Sequence, residues 1–141
     1  MAGATLAELR AGIETRLATI PNVVTSAYML DNPPDLTLQV MGPDQVDYDQ
    51  AAARGHDNWV FVVQGFSGSP ASQAAQTNLD EWLAPTGTNS VKAAIEGDRS
   101  LGGIVDDCWV RSASGYREYE LPNRGRLLGA EWTLLILNSG T

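Results

Sequence analysis

The chain has 141 residues, 43% of them hydrophobic and 18% charged, with a formal net charge of −8. That length and balance fit one domain over residues 1–141 with a single buried core, and argue against intrinsic disorder. The acidic excess, with nine scattered Lys and Arg residues, argues against a grip on nucleic-acid phosphates or an anionic membrane.

Thr5-Leu-Ala-Glu8 fits a capping box. Leu6, Leu9, Ile13, Leu17 and Ile20 then recur at helical spacing, which predicts a helix ended by Pro21. Residues 23–30 read as a strand and residues 31–34, Asp-Asn-Pro-Pro, as a turn. Leu36, Leu38 and Val40 alternate with polar neighbours, so residues 35–41 read as a half-buried strand. Residues 42–57 show no period and read as a long loop, with a helical turn at residues 49–54. Residues 59–66 are apolar on both faces. This predicts a central strand covered by helices on one side and by a neighbouring subunit on the other.

Ser69-Pro70 has the pattern of a helix start, with Ala75, Leu79, Trp82 and Leu83 inward and Pro85 as the stop. Asn89 or Ser90 caps a short helix to Glu96, with Val91 and Ile95 inward. Leu101-Gly-Gly103 breaks the chain, and residues 104–113 read as a strand with Ile104, Cys108 and Val110 on one face. Residues 114–126 are polar and aromatic and read as a second long loop. Leu128, Ala130, Trp132, Leu134 and Ile136 alternate through a last strand at residues 127–137. The order predicts an α+β fold: a mostly antiparallel or mixed sheet of four to five strands, with two to three helices on one face.

Chemistry is sparse. Cys108 is the only thiol and His56 the only histidine, so one chain cannot supply a His/Cys zinc site or an internal disulfide. A lone cysteine in an apolar strand reads as a small buried hydrophobe, and a chain without disulfides suits a reducing cytosol. The first 16 residues lack a basic stretch followed by an apolar block, which argues against a secretory leader. No apolar run approaches the roughly 20 residues of a membrane span. Asp44, Asp47 and Asp49 lack the spacing of a calcium loop and read as a solvated acidic segment. Asp106 and Asp107 are neighbours on a presumed strand, so their carboxylates diverge and cannot straddle one bond. One of them is expected to pair with an arginine such as Arg111 or to sit at a frayed strand end. Gly65-Phe-Ser-Gly68 is not a nucleophile elbow, and Gly102-Gly103 is not a phosphate loop. No enzyme activity, cofactor or metal is expected. Tyr48, Tyr116 and Tyr119 lie near Arg54, Arg117, Arg124 and Arg126 in the two predicted loops. Tyr and Arg favour protein interfaces, because each joins a large contact area to directional hydrogen bonds.

Four phrases in the second half carry a family resemblance: Ser90-Val-Lys-Ala-Ala-Ile95, Leu101-Gly-Gly103, Val105-Asp-Asp107 and Leu128-Gly-Ala-Glu-Trp132. With the proline-and-acid segment at residues 43–49, they resemble the tail terminator proteins of long-tailed, siphovirus-type bacteriophages, particularly those of actinobacteria. The first 40 residues match in layout only. Cys108, Trp109 and residues 124–126 depart from the pattern. The resemblance implies an α+β subunit that forms a ring, typically a hexamer, on the head-proximal end of the tail tube. Such a ring ends tube polymerisation and presents the head-joining surface. The implied partners are further copies of the chain, the tail tube protein and a head–tail connector or stopper. DNA would pass through without specific binding, and no membrane is involved. Assembly would occur in the host cytoplasm, and the mature location is the virion tail. Six copies would carry six times −8, or −48, formal charges, which would repel DNA phosphates if placed on the channel wall. The candidate interface residues are Asp44, Asp47, Tyr48, Asp49, Arg54, Tyr116, Arg117, Tyr119, Arg124 and Arg126. Alternatives are another head–tail joining protein, a stopper or connector-adaptor, and a cellular α+β domain binding a small molecule against its sheet.

Overall fold

Alternating apolar residues in the third and fifth strands set the architecture. The computed structural model describes residues 5–48, 56–122 and 125–139. In chain order the elements are α1 (Leu6–Leu17), β1 (Val24–Ser26), β2 (Thr37–Asp47), β3 (His56–Gly68), α2 (Gln73–Leu83), α3 (Val91–Glu96), β4 (Asp107–Leu121) and β5 (Gly125–Ser139). The five strands form one sheet in the order β1-β2-β3-β5-β4. β1 is parallel to β2 and every other pair is antiparallel. The fold is thus α+β, a mixed five-stranded sheet with three helices packed on it.

The register separates two faces. Leu38, Val40, Phe61, Val63, Ala130, Trp132, Leu134, Ile136, Cys108 and Val110 form one core with Leu9, Ile13 and Leu17 of α1, Leu79 and Trp82 of α2, and Val91 and Ile95 of α3. Trp82 meets Trp132 edge-on, ring centroids 6.4 Å apart. The intervening residues point to the opposite face, which no described helix covers.

α1 carries the capping box in both directions: Glu8 N–H donates to Thr5 Oγ1 at 3.2 Å and Thr5 N–H to Glu8 Oε1 at 2.9 Å. Those bonds hold the Glu8 carboxylate below its usual range. Leu6 leaves the predicted apolar stripe and is 39% exposed. The helix stops at Leu17, ahead of Pro21.

β1 is three residues, not the predicted eight. In the β1–β2 register the next pair after Ser26↔Gln39 would be Ala27 with Val40. Arg10 Nη1 intrudes there, donating to the Ala27 carbonyl at 2.8 Å and the Val40 carbonyl at 3.3 Å. Its guanidinium also stacks 4.8 Å from the Tyr28 ring. Gly42 makes room for it, since a Cβ there would lie 2.6 Å from Arg10 Nη2.

Within the described residues, the two predicted loops are largely strand. β2 runs to Asp47, and β3 begins at His56. β4 runs to Leu121, and β5 begins at Gly125. Each misread strand carries two bulges: Val40/Gly42 and Pro43/Gln45 in β2, Val110/Ser112 and Ser114/Arg117 in β4. A bulge adds one residue and shifts the in–out alternation, so no steady period of two survives in the sequence. The helical turn predicted at residues 49–54 lies outside the described residues.

α2 starts at Gln73, capped by Ser72, whose Oγ accepts from Ala75 N–H at 3.2 Å. Ser69 and Pro70 instead form the preceding turn, closed by Ser72 N–H to Ser69 carbonyl at 3.0 Å. Ser90 caps α3, accepting from Ala93 N–H at 3.1 Å and donating to the Ala84 carbonyl at 2.5 Å. The next turn is tied by Asp98, whose carboxylate accepts from the Ser100 hydroxyl at 2.6 Å, Gly102 N–H at 3.0 Å and Ser100 N–H at 3.1 Å. These bonds lower its pKa. Leu101, Gly102 and Gly103 all have positive φ (50°, 78° and 89°). The chain is still turning at Ile104, so β4 opens at Asp107 rather than at the predicted 104.

Gly129, in the Leu-Gly-Ala-Glu-Trp phrase, lies opposite Phe66 and Arg117. A Cβ at this position would collide with the Gly65 carbonyl oxygen and press on the Phe66 and Tyr119 rings. Those two rings meet edge-on at 5.6 Å and cover the bare backbone. Gly129→Ala should therefore destabilise the domain by about 1–3 kcal/mol, as overpacked sites do. Chemical denaturation read by tryptophan fluorescence measures it; an unchanged midpoint would remove this account of the glycine.

Candidate interface surfaces

The sequence-predicted interface residues fall at opposite ends of the sheet. Asp44 is exposed at the second β2 bulge. Asp47 closes the β2–β3 ladder opposite Asn58 and accepts from Gln45 Nε2 at 2.8 Å. Tyr48 follows it and is 70% exposed, the most exposed large hydrophobic side chain described. Arg126 starts the other end, opposite Glu120. Asn58 pairs with Leu137, so the two ends are separated by about 35 Å of β5 at the usual rise per residue. The acidic and basic residues cannot meet within one subunit. Asp49, Arg54 and Arg124 lie outside the described residues.

Most of the described basic and aromatic candidates are engaged within the subunit. Tyr116 donates to Asp80 Oδ1 at 3.2 Å. Arg117 stacks 4.4 Å from the Tyr119 ring centroid. Tyr119 donates to the Gly115 carbonyl at 2.7 Å, and burial followed by the nearby Glu131 charge raises its pKa. Arg126 lies 3.4 Å from Glu118, both well exposed, a pair worth about 0–1 kcal/mol.

Asp107 pairs with Arg99, not with Arg111. Its two oxygens accept from Arg99 Nε at 2.7 Å and Nη2 at 2.8 Å. The bidentate contact holds the Asp107 carboxyl below its usual range and raises the guanidinium's pKa. Arg99 also stacks 5.5 Å from the Trp109 ring. Asp106 is exposed just before the strand, so the two carboxylates share no site. Spacing alone hides the partner, because the turn at residues 98–105 brings Arg99 back beside Asp107.

The sequence correctly placed a doubly apolar strand at the sheet centre but did not reveal the extent of the surface it joins. Val60 pairs with Leu135, which pairs with Trp109; Val62 pairs with Thr133; Leu137 lies beside Asn58 and Asp107. These residues occupy the helix-free face, and each is only partly buried. At the β2 end of the same face, Leu30 N–H donates to Gln39 Oε1 at 2.9 Å, and Gln39 and Gln64 are buried. The apolar patch is thus open beside a polar, covered corner.

Among the described residues no three His, Cys, Asp or Glu side chains converge as a metal site. No described helix is long and apolar enough to cross a membrane. Comparison with protein-family models and with curated proteins gives no match.

Cys108 is fully buried in the core. Burial, reinforced by the Asp107 charge, pushes its thiol up to about 12. Native protein should resist iodoacetamide, while denatured protein should label rapidly. An unfolded thiol ionises at lower pH than this buried one, so the folded state retains the proton longer and stability falls as pH rises through that window. The slope of stability against pH above 9 should therefore be steeper for wild type than for Cys108→Ala. Equal slopes together with fast native labelling would show an accessible thiol.

Proposed function

We propose that the chain is a structural subunit of a ring that caps the head-proximal end of a bacteriophage tail tube. In this role the ring ends tube polymerisation and presents the head-joining surface. The observation that carries the reading is the open apolar patch of Val60, Val62, Trp109, Leu135 and Leu137 on the helix-free face. A lone subunit leaves this face to water, whereas an assembly subunit buries it. The tail-terminator phrases support the same reading, falling on α3, the turn after it and the centre of β5. The segregation of Asp44 and Asp47 from Arg117 and Arg126, at opposite ends of the sheet, suits head-to-tail contacts, which close into rings when the rotation per subunit permits.

Electron microscopy of negatively stained protein, alone and mixed with tail tubes of the cognate phage, tests the reading. Wild type should form rings at high concentration and density at one tube end. Leu135→Glu should reduce ring yield at least tenfold while leaving the circular dichroism spectrum unchanged. Wild-type protein that stays monomeric by light scattering and leaves tube ends bare would refute the proposal.

A further inference from the structure

A second surface lies apart from the open sheet face, at the outer edge of β4. There the end of α2, α3 and β4 enclose a groove of about 280 Å³. Trp132, Leu83 and Pro85 give it apolar walls, and Lys92 and Arg111 line it with positive charge. Among the described residues no acid is part of its lining, although Glu96 contacts two lining residues, Lys92 and the Val110 amide, and offsets the Lys92 charge. Lys92 is held by Glu96 at 2.5 Å. The Arg111 side chain is exposed at a β4 bulge and has no partner among the described residues.

The complementary shape is carried by the same chain, at the far edge of the sheet. Tyr48 projects from the end of β2, next to Asp47 and four residues from Asp44. This segment combines an exposed aromatic ring with two carboxylates and has no cation between Asp44 and Tyr48. It cannot reach its own groove. β2 and β4 are separated by β3 and β5, about 14 Å at the usual strand spacing, and Tyr48 lies beyond the row that ends at Asp107.

We propose that Tyr48 and Asp47 of one copy dock into the groove of the next, the ring against Leu83 and Pro85 and the carboxylate against Arg111. This deepens the ring reading and rests on it, adding a directional side-chain contact to the burial of the apolar patch. The contact is heterologous: each subunit offers a hairpin on one side and a groove on the other. At about 280 Å³ the groove has room for one aromatic ring and an adjoining carboxylate. Strand addition is disfavoured at both edges. Arg10 and Pro43 interrupt β2, and Glu96 accepts from Val110 N–H at 3.1 Å on the outer side of β4. Side-chain docking remains open to both.

Sedimentation velocity and electron microscopy of full-length variants test the contact. Tyr48→Ala and Arg111→Glu should each weaken self-association at least tenfold with unchanged thermal unfolding, since both side chains are exposed. Mixing these two variants should yield a heterodimer that grows no further, because only one productive hairpin and groove can meet. Asp47→Arg should also block association, and adding Arg111→Asp to the same chain should restore it. If wild type and all variants form equal rings on tube ends, the hairpin–groove contact is overturned and the capping reading stands. If association depends on Tyr48 and Arg111 but tube ends stay bare, the contact stands and the capping reading falls. A wild-type chain that never associates overturns both.

Discussion

β3 and β5 pair in antiparallel register from His56↔Ser139 to Gly68↔Leu128, and that ladder decides where every other element can go. It sets Phe61, Val63, Trp132, Leu134 and Ile136 on one side, where all three helices find their apolar seat. It equally commits Val60, Val62 and Leu135 to the other side. A period of two allows no compromise: a slip of one residue would exchange the faces. The domain therefore obtains a well-filled core and an open apolar face from the same pairing. Gly65 and Gly129 tighten it, since side chains at these neighbouring positions would meet Trp132, Leu38 or the opposing backbone.

The sheet edges show how such a domain stays discrete. An open edge strand can recruit another chain through its unpaired amides and carbonyls. In β2, Arg10 takes up the Val40 carbonyl, Pro43 lacks an amide proton, and two bulges twist the edge. In β4, Glu96 takes up the Val110 amide. Burial works against the Glu96 carboxylate, yet bonds from Lys92 and Val110 hold it below its usual range. Charge is used at both edges to occupy backbone groups, which disfavours strand addition there.

Electrostatics then sorts the cations. Arg10, Arg99, Arg117 and Arg126 stack on aromatic rings or pair with acids inside the subunit. Arg111 stands beside an apolar groove without such a partner among the described residues. In a chain of net charge −8, acidic surface is plentiful and an unpaired cation at a cleft is scarce. In the proposed ring that asymmetry would give direction to a contact that apolar burial alone would leave non-specific.

Local sequence was enough for the class of fold, the capping box of α1, a cap at Asn89 or Ser90 and the inward faces of α2 and β5. Each of these depends on a short run of neighbours with an unbroken period, and local chemistry suffices. Only the tertiary structure showed that the described parts of the two apparent loops are mostly strand, because four bulges erase the alternation and the partner strand supplies the pairing. Only it showed that β1 stops at Ser26, since the cause is Arg10, seventeen residues from Ala27 in sequence. It also separated Asp47 from Arg126, exchanged Arg111 for Arg99 as the partner of Asp107, and brought Leu83, Arg111 and Trp132 to one groove. These are distances between residues remote along the chain, and they exist only once the β3–β5 ladder has placed the elements in space.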